Sequence, residues 1–388
     1  MTDPATPAAH DRSTPPDALH EFLRAAVSRG ASDVHVKTGD VVRARIDGTL
    51  TPVSERSLTL AEVREMATRL AGAAAVEGAL AGEREYDGTY GVAGVSRFRV
   101  NLFRQRGTLM MVLRTIPAEV PDFASLRLPP VVERLAQLER GMVVVTGSTG
   151  SGKSSTQAAM IEHLNRTVCR HVVTLENPIE FLFDDRRCSI TQREVGPDTR
   201  DFASGLRSAM RQDPDVILIG EMRDAETTDI ALKAAETGHL VLSTLHTPDA
   251  VSTVHRMLSL FPPLEQAAVR VRLSESLKAV ISQRLLLAKS GRGRVLACEI
   301  LIATPAIRDM IAGGKPFEDI REQMEEGREQ YGSQTFDAHL EELVREELVS
   351  YETALAASSS PADFELRFRL DGLAAGGAAD PLAAFGRF

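Results

Sequence analysis

Apolar positions recur with two different periods along this chain, and the change of period divides it. From Ala18 to Ser28, Leu19, Phe22, Leu23, Ala26 and Val27 fall at helical spacing, with Gly30 placed to close the helix. Asp33–Lys37 and Val41–Ile46 alternate as strands do, and Asp47-Gly48 is a tight-turn signal. Leu58–Leu80 is again helical and rich in alanine. In Ser96–Leu102 the side chains of Phe98, Val100 and Leu102 point one way, and those of Arg97, Arg99 and Asn101 the other. A second strand, Leu109–Leu113, leads into Arg114. Beyond about residue 130 the runs become too apolar to alternate: Met142–Thr146, His171–Leu175, Asp215–Ile219 and Leu240–Leu245. Such runs mark strands buried on both faces. Helical patterns, clearest at Phe202–Gln212 and Ala225–Glu236, separate them, so the spacing predicts a mostly parallel sheet with helices on both sides.

The breaks between patterns suggest the domain organisation. Residues 1–17 read as a disordered leader, 18–116 as a smaller α+β domain, and 117–130, with four prolines, as a linker. Residues 131–303 form the α/β domain and 304–370 a helical region. In the latter, Phe336, Leu340, Leu343 and Val344 make an apolar stripe, while Glu318–Glu329 reads as a solvated helix face. Residues 371–388 are low in complexity and read as a flexible tail.

Composition then excludes whole classes. No apolar run approaches the ~18 residues that a membrane-spanning helix needs. The N-terminus lacks the apolar core of a secretory signal, so a cytoplasmic protein is expected. A net charge of −9, no Trp and four Tyr disfavour a nucleic-acid translocase, which needs a basic channel with exposed aromatics. Cys169, Cys188 and Cys298 are far apart and outside any C-x-x-C pair, so buried thiols are expected rather than a disulfide framework or a zinc site.

The chemistry concentrates in Gly147-Ser148-Thr149-Gly150-Ser151-Gly152-Lys153-Ser154, which fits the phosphate-loop pattern G-x-x-x-x-G-K-[ST]. Triphosphate oxygens must lie against backbone N–H groups, and the glycines allow the positive φ of a loop wrapped round an anion. Lys153 would reach the β/γ-phosphates and the Ser154 hydroxyl would ligate Mg²⁺, making ATP with Mg²⁺ the expected pair. A strand before the loop, and a helix from Ser155 to Leu164 after it, complete the setting. Three further clusters sit at strand ends, where α/β sheets place ligands. Glu176 and Glu180 flank Pro178, and either could orient or deprotonate the attacking water. Glu221 ends an apolar strand and would hold Mg²⁺ through water. His239 and His246 bracket another strand, and a nucleotide-sensing or hydrogen-bonding role suits them better than metal ligation.

Five stretches together resemble one family. Gly147–Ser154, Thr174–Phe181, Gln192–Gly196, Gln212–Asp224 and Thr237–His246 look like the motif set of the type II/IV secretion ATPases. Within these the chain most resembles the type IV pilus retraction (twitching motility) ATPases. Arg97–Asn101, Leu273–Gln283 and Gln334–Asp337 support this, and the match runs from about residue 20 to 368. The resemblance implies a RecA-like ATPase domain after a PAS-like α+β domain. It makes Glu180 the general base and brings Arg99 and Arg114 to the nucleotide. It also implies a homohexamer moved by domain closure, seated at the inner-membrane face of the pilus base against a platform protein, and it allows a second retraction ATPase as partner. The rivals are an accessory retraction paralogue and an assembly or secretion ATPase of a related system. Asn177 departs from the family's Asp, Asp309 from its Asn, and Ala312 and Gly313 from its Arg-Glu.

Overall fold

The first periodicity is realised as a helix, Ala18–Ser28, whose Leu19, Leu23 and Ala26 are buried, and Gly30 follows it at φ +72°. The computed structural model describes residues 18–46, 48–116, 119–313 and 317–370. The leader, Asp47 of the expected turn, the start of the linker and the tail lie outside them. The chain divides into two units between Glu119 and Val120.

The first unit is one antiparallel sheet. Its strands are β1 (Asp33–Lys37), β2 (Arg43–Ile46), β3 (Thr49–Pro52), β4 (Tyr86–Val92), β5 (Ser96–Gln105) and β6 (Thr108–Ile116), in the order β3-β2-β1-β6-β5-β4. β4, with two glycines and little apolar content, gave no clear pattern in the sequence. Leu58–Leu80 forms two helices rather than one, Leu60–Ala71 and Ala73–Ala81, because Gly72 between them sits at φ +85°. Thr59 starts the first with a capping box to Glu62. Val34, Val36, Phe98, Val100, Leu102, Met111 and Leu113 bury against Leu19, Leu23 and Val63 from the helices. The alternation across Ser96–Leu102 therefore holds: Phe98, Val100 and Leu102 are wholly buried, while Arg99 is exposed.

The second unit carries seven strands: β7 (Gly141–Gly147), β8 (His171–Glu176), β9 (Ser189–Glu194), β10 (Val216–Ile219), β11 (Leu240–Leu245), β12 (Leu277–Leu287) and β13 (Arg294–Ile302). Their order is β13-β12-β7-β11-β10-β8-β9, and every pair is parallel except β12–β13. β7 shows why its run reads as continuously apolar. Met142 and Val144 enter one core, with Ile217, Ile219 and Val241. Val143 and Val145 enter the other, with Val216, Leu218, Leu240 and Leu242. Helices pack over both faces, as a parallel sheet requires. A further core joins Leu286, Val295 and Ala297 of the β12–β13 hairpin to Phe336, Leu340 and Leu343 of the expected stripe and to Phe364 and Phe368. Cys188 and Cys298 are buried, but Cys169 is exposed, against the expectation for all three.

Candidate nucleotide site

Register places the candidate groups on one edge. Thr146 of β7 pairs with Leu245 of β11, Ser243 of β11 with Ile219 of β10, and Ile219 with Leu175 of β8. The residues that follow, Gly147, His246, Glu221 and Glu176, thus stand in a row at the C-terminal ends of four adjacent parallel strands. That is where this class of sheet binds its ligands.

The loop turns out of β7 at Gly147, with φ +139°. A Cβ there would come within 2.5 Å of both Gln283 O and Ser151 Oγ, so only glycine fits. Gly150 and Gly152 take φ +79° and +95°. The helix Lys153–Thr167 follows, with Ser154 and Ser155 half-buried in its first turn and Ser148, Thr149 and Gly150 exposed before it. Its free N–H groups and dipole favour an anion at the loop. Lys153 Nζ donates to Gly147 O and Ser148 O, both at 2.9 Å. Burial lowers its pKa, and the negative charges of Glu180 and Glu221 oppose that shift. Ser151 Oγ is buried without a partner among the described residues.

The two acids of the β8 end differ. Glu176 accepts hydrogen bonds from Thr174 Oγ1 at 2.7 Å and Gln192 Nε2 at 3.2 Å, and burial pushes its carboxyl pKa up. Glu180, beyond the Asn177–Pro178 turn, is exposed, and its N–H reaches back to Glu176 Oε2 at 3.5 Å. Glu221 is nearly buried, with Arg223 Nε 2.6 Å and His246 Nε2 3.7 Å from its Oε2. Burial lowers the His246 pKa, the charges of Lys153 and Arg223 add to that, and Glu221 opposes it.

His239 is not brought to this edge. It precedes β11, so strand geometry sets it roughly 20 Å from His246. There its Nδ1 lies 2.9 Å from Ala234 O and 3.2 Å from Thr237 Oγ1. Within one chain it cannot touch the nucleotide of its own loop. Arg99 and Arg114 belong to the other unit, where they are direct cross-strand partners on β5 and β6. Arg114 Nε pairs with Asp33 Oδ1 at 2.9 Å. No carboxylate pairs with Arg99 among the described residues.

Sequence reading did not assign roles to Thr174, Gln192, Arg223 or Gln283, which hold the acids and the loop. Gln192 and Gln283 lie inside stretches that signalled the family, but no local pattern says what either touches. The hydroxyl of Ser154 and the carboxylate of Glu221 are hard oxygen donors of the kind Mg²⁺ takes, and they fit that ion.

A phosphate loop between a buried strand and a helix, with acids on the neighbouring strand ends of a parallel sheet, defines a nucleotide-using ATPase of the α/β class. The model of the Type II/IV secretion system protein family matches residues 8–353. The type IV pilus retraction ATPase PilT of Pseudomonas aeruginosa is 44% identical over 349 residues, 89% of this chain and 99% of that protein. The type IV pilus ATPase PilU of the same organism is 37% identical, covering 91% of each chain. A crystal structure of the pilus retraction motor PilT with bound ADP superposes with a TM-score of 0.83 at 42% identity, over 89% of this chain and 98% of that one. This chain belongs to the type II/IV secretion system protein family.

Proposed function

We propose that this chain is a hexameric motor that hydrolyses ATP to retract type IV pili at the inner-membrane face of the pilus base. The observation that carries the reading is the row of Gly147, His246, Glu221 and Glu176 at the C-terminal ends of four adjacent parallel strands, in a chain whose likeness to a retraction ATPase extends over nearly its full length. In this reading Gly147–Ser155 cradle the phosphates and Lys153 neutralises them. Ser154 and Glu221 hold Mg²⁺, which supplies charge neutralisation at the phosphate oxygens when bound.

Glu180 is the general base in this reading: it stands exposed beyond the end of β8, with its N–H on Glu176 Oε2. Glu176 is held by Thr174 and Gln192 and positions the turn that carries the base. Arg99 and Arg114 of one subunit meet the nucleotide of its neighbour in the ring. The two lie on one face of the sheet as direct cross-strand partners, and guanidinium forks placed together suit a phosphate. Domain closure round the ring then moves the platform protein of the pilus machine.

Deleting the gene and scoring surface pili and twitching tests the reading. Excess surface pili with lost twitching is the expected result, and unchanged piliation and motility would overturn it. One observation favours the accessory-paralogue reading, in which a second retraction ATPase is needed. The helix Pro305–Ala312 ends at Gly313, φ +103°, so that Ala312 and Gly313 stand where the family motif has Arg-Glu. Full retraction by this chain as the sole motor rejects that alternative.

A further inference from the structure

Strand β12 runs beside the strand that feeds the phosphate loop, with Gln283 opposite Gly147. The Gln283 carbonyl lies so close that a Cβ on Gly147 would come within 2.5 Å of it. Its side chain, 1% exposed, crosses to the other end of the loop, where Nε2 donates to Thr156 Oγ1 at 2.6 Å. Thr156 is itself 1% exposed and lies in the first turn of the loop helix, beside Lys153 and Ser154. One residue before Gln283, Ser282 Oγ meets Thr146 Oγ1 at 2.8 Å, which anchors β7 just ahead of the loop. One residue after it, Arg284 stacks over the Phe336 ring at 3.8 Å and donates to Ala357 O, in the C-terminal helical region.

We propose that Gln283 is a positioning residue for the phosphate loop. It ties the loop's exit to the strand that already backs its entry, so that Lys153 and Ser154 are held ready for the phosphates. The loop between those anchors has three glycines at positive φ, and glycine-rich backbone loses much freedom on ordering. A buried bond across its two ends reduces the freedom left to lose when nucleotide binds. The residue type follows from the geometry: the side chain must span from a strand to the neighbouring helix and present an amide donor, and asparagine is one methylene shorter. The proposal rests on the nucleotide-site reading above.

The test uses the purified full-length protein and titration with a fluorescent ADP, alongside steady-state ATP hydrolysis. Thr156→Val keeps the side-chain shape and removes the acceptor, while Thr156→Ser keeps the hydroxyl. Gln283→Ala and Thr156→Val are each expected to weaken ADP about tenfold, the scale of one buried hydrogen bond. KM for ATP should rise more than kcat falls. The double variant should bind no more weakly than either single one, because both remove the same bond, and Thr156→Ser should bind as the parent does. Losses that multiply in the double variant, or a Thr156→Ser protein as weak as Thr156→Val, overturn the proposal. So does an unchanged ADP affinity with a lowered melting temperature, the mark of a packing role alone. Should Gln283→Ala fail to fold, the Thr156 pair still decides. Lys153→Ala serves as the control: if it binds ADP as tightly as the parent, the nucleotide-site reading itself fails, and that result is separate from all the others.

Discussion

The two sheets of this protein treat their faces differently. The parallel sheet of the second unit is covered on both sides, with Met142 and Val144 in one core and Val143 and Val145 in the other. Its central strands β7, β10 and β11 are buried along their whole length, and the polar groups collect at the edge where the strands end. In the first unit the core residues Phe98, Val100 and Leu102 take one face of an antiparallel sheet. The opposite face holds Arg99, Arg114 and Asp33 in one cross-strand row. One sheet therefore offers chemistry at its rim and the other along its surface. Substitutions at the rim should act on catalysis in one step, whereas those on the surface should separate charge from fold.

The largest effect is expected at the rim. Lys153→Ala should abolish ATP hydrolysis, because the β/γ-phosphates lose their cation. Glu221→Ala should do the same if, as proposed, its carboxylate holds Mg²⁺. Near-normal turnover in either purified variant would show that the edge is not the nucleotide site.

The surface of the first sheet sharpens the contrast. Arg99→Ala and Arg114→Ala should lose turnover by up to ~10³-fold, the scale of an arginine finger, while folding and assembling as the parent does. Arg114→Ala should also melt slightly lower, since it removes the partner of Asp33. Phe98→Ala, one residue away on the buried face, should instead cost ~3–5 kcal/mol of stability. Steady-state rates with thermal melts and sizing chromatography separate these outcomes. Full rates in both arginine variants would make that face a solvated surface only.

Within the rim, Glu180→Gln should still bind ATP but turn it over ~10²-fold more slowly, the usual span for loss of a general base. If Glu176→Gln gives that phenotype and Glu180→Gln does not, the roles of the two acids are exchanged.

The smallest effect concerns pH. Burial lowers the pKa of His339, whose Nδ1 accepts a hydrogen bond from the Cys298 N–H at 3.0 Å. The folded state thus resists a proton that the unfolded chain takes up near the ordinary value of about 6.5. Stability is then fully present above that pH and falls as pH drops below it. Melting temperatures across that range should slope less steeply in His339→Gln than in the parent. Equal slopes would assign the pH dependence to other groups.

Much of this was legible along the chain because it is local. The phosphate loop is a contiguous run whose glycines answer to a backbone requirement, and the apolar strands announce themselves by burial on both faces. The alternation at Ser96–Leu102 follows from the pleat alone. Tertiary structure decided the rest, because strand order and register bring distant residues together with no local trace. Register made Arg99 the neighbour of Arg114, and Arg114 the partner of Asp33, 81 residues away. Strand direction separated His246, at the rim, from His239 at the far end of the same strand. The turn after β8 left Glu180 exposed, while Glu176 was held by Thr174 and Gln192. The link from Gln283 to Thr156, 127 residues apart, exists only because β12 lies against β7. Residue types and periods in the sequence specify which groups a site has available. Which of them meet is set by non-local packing, where each contact depends on the placement of the whole sheet.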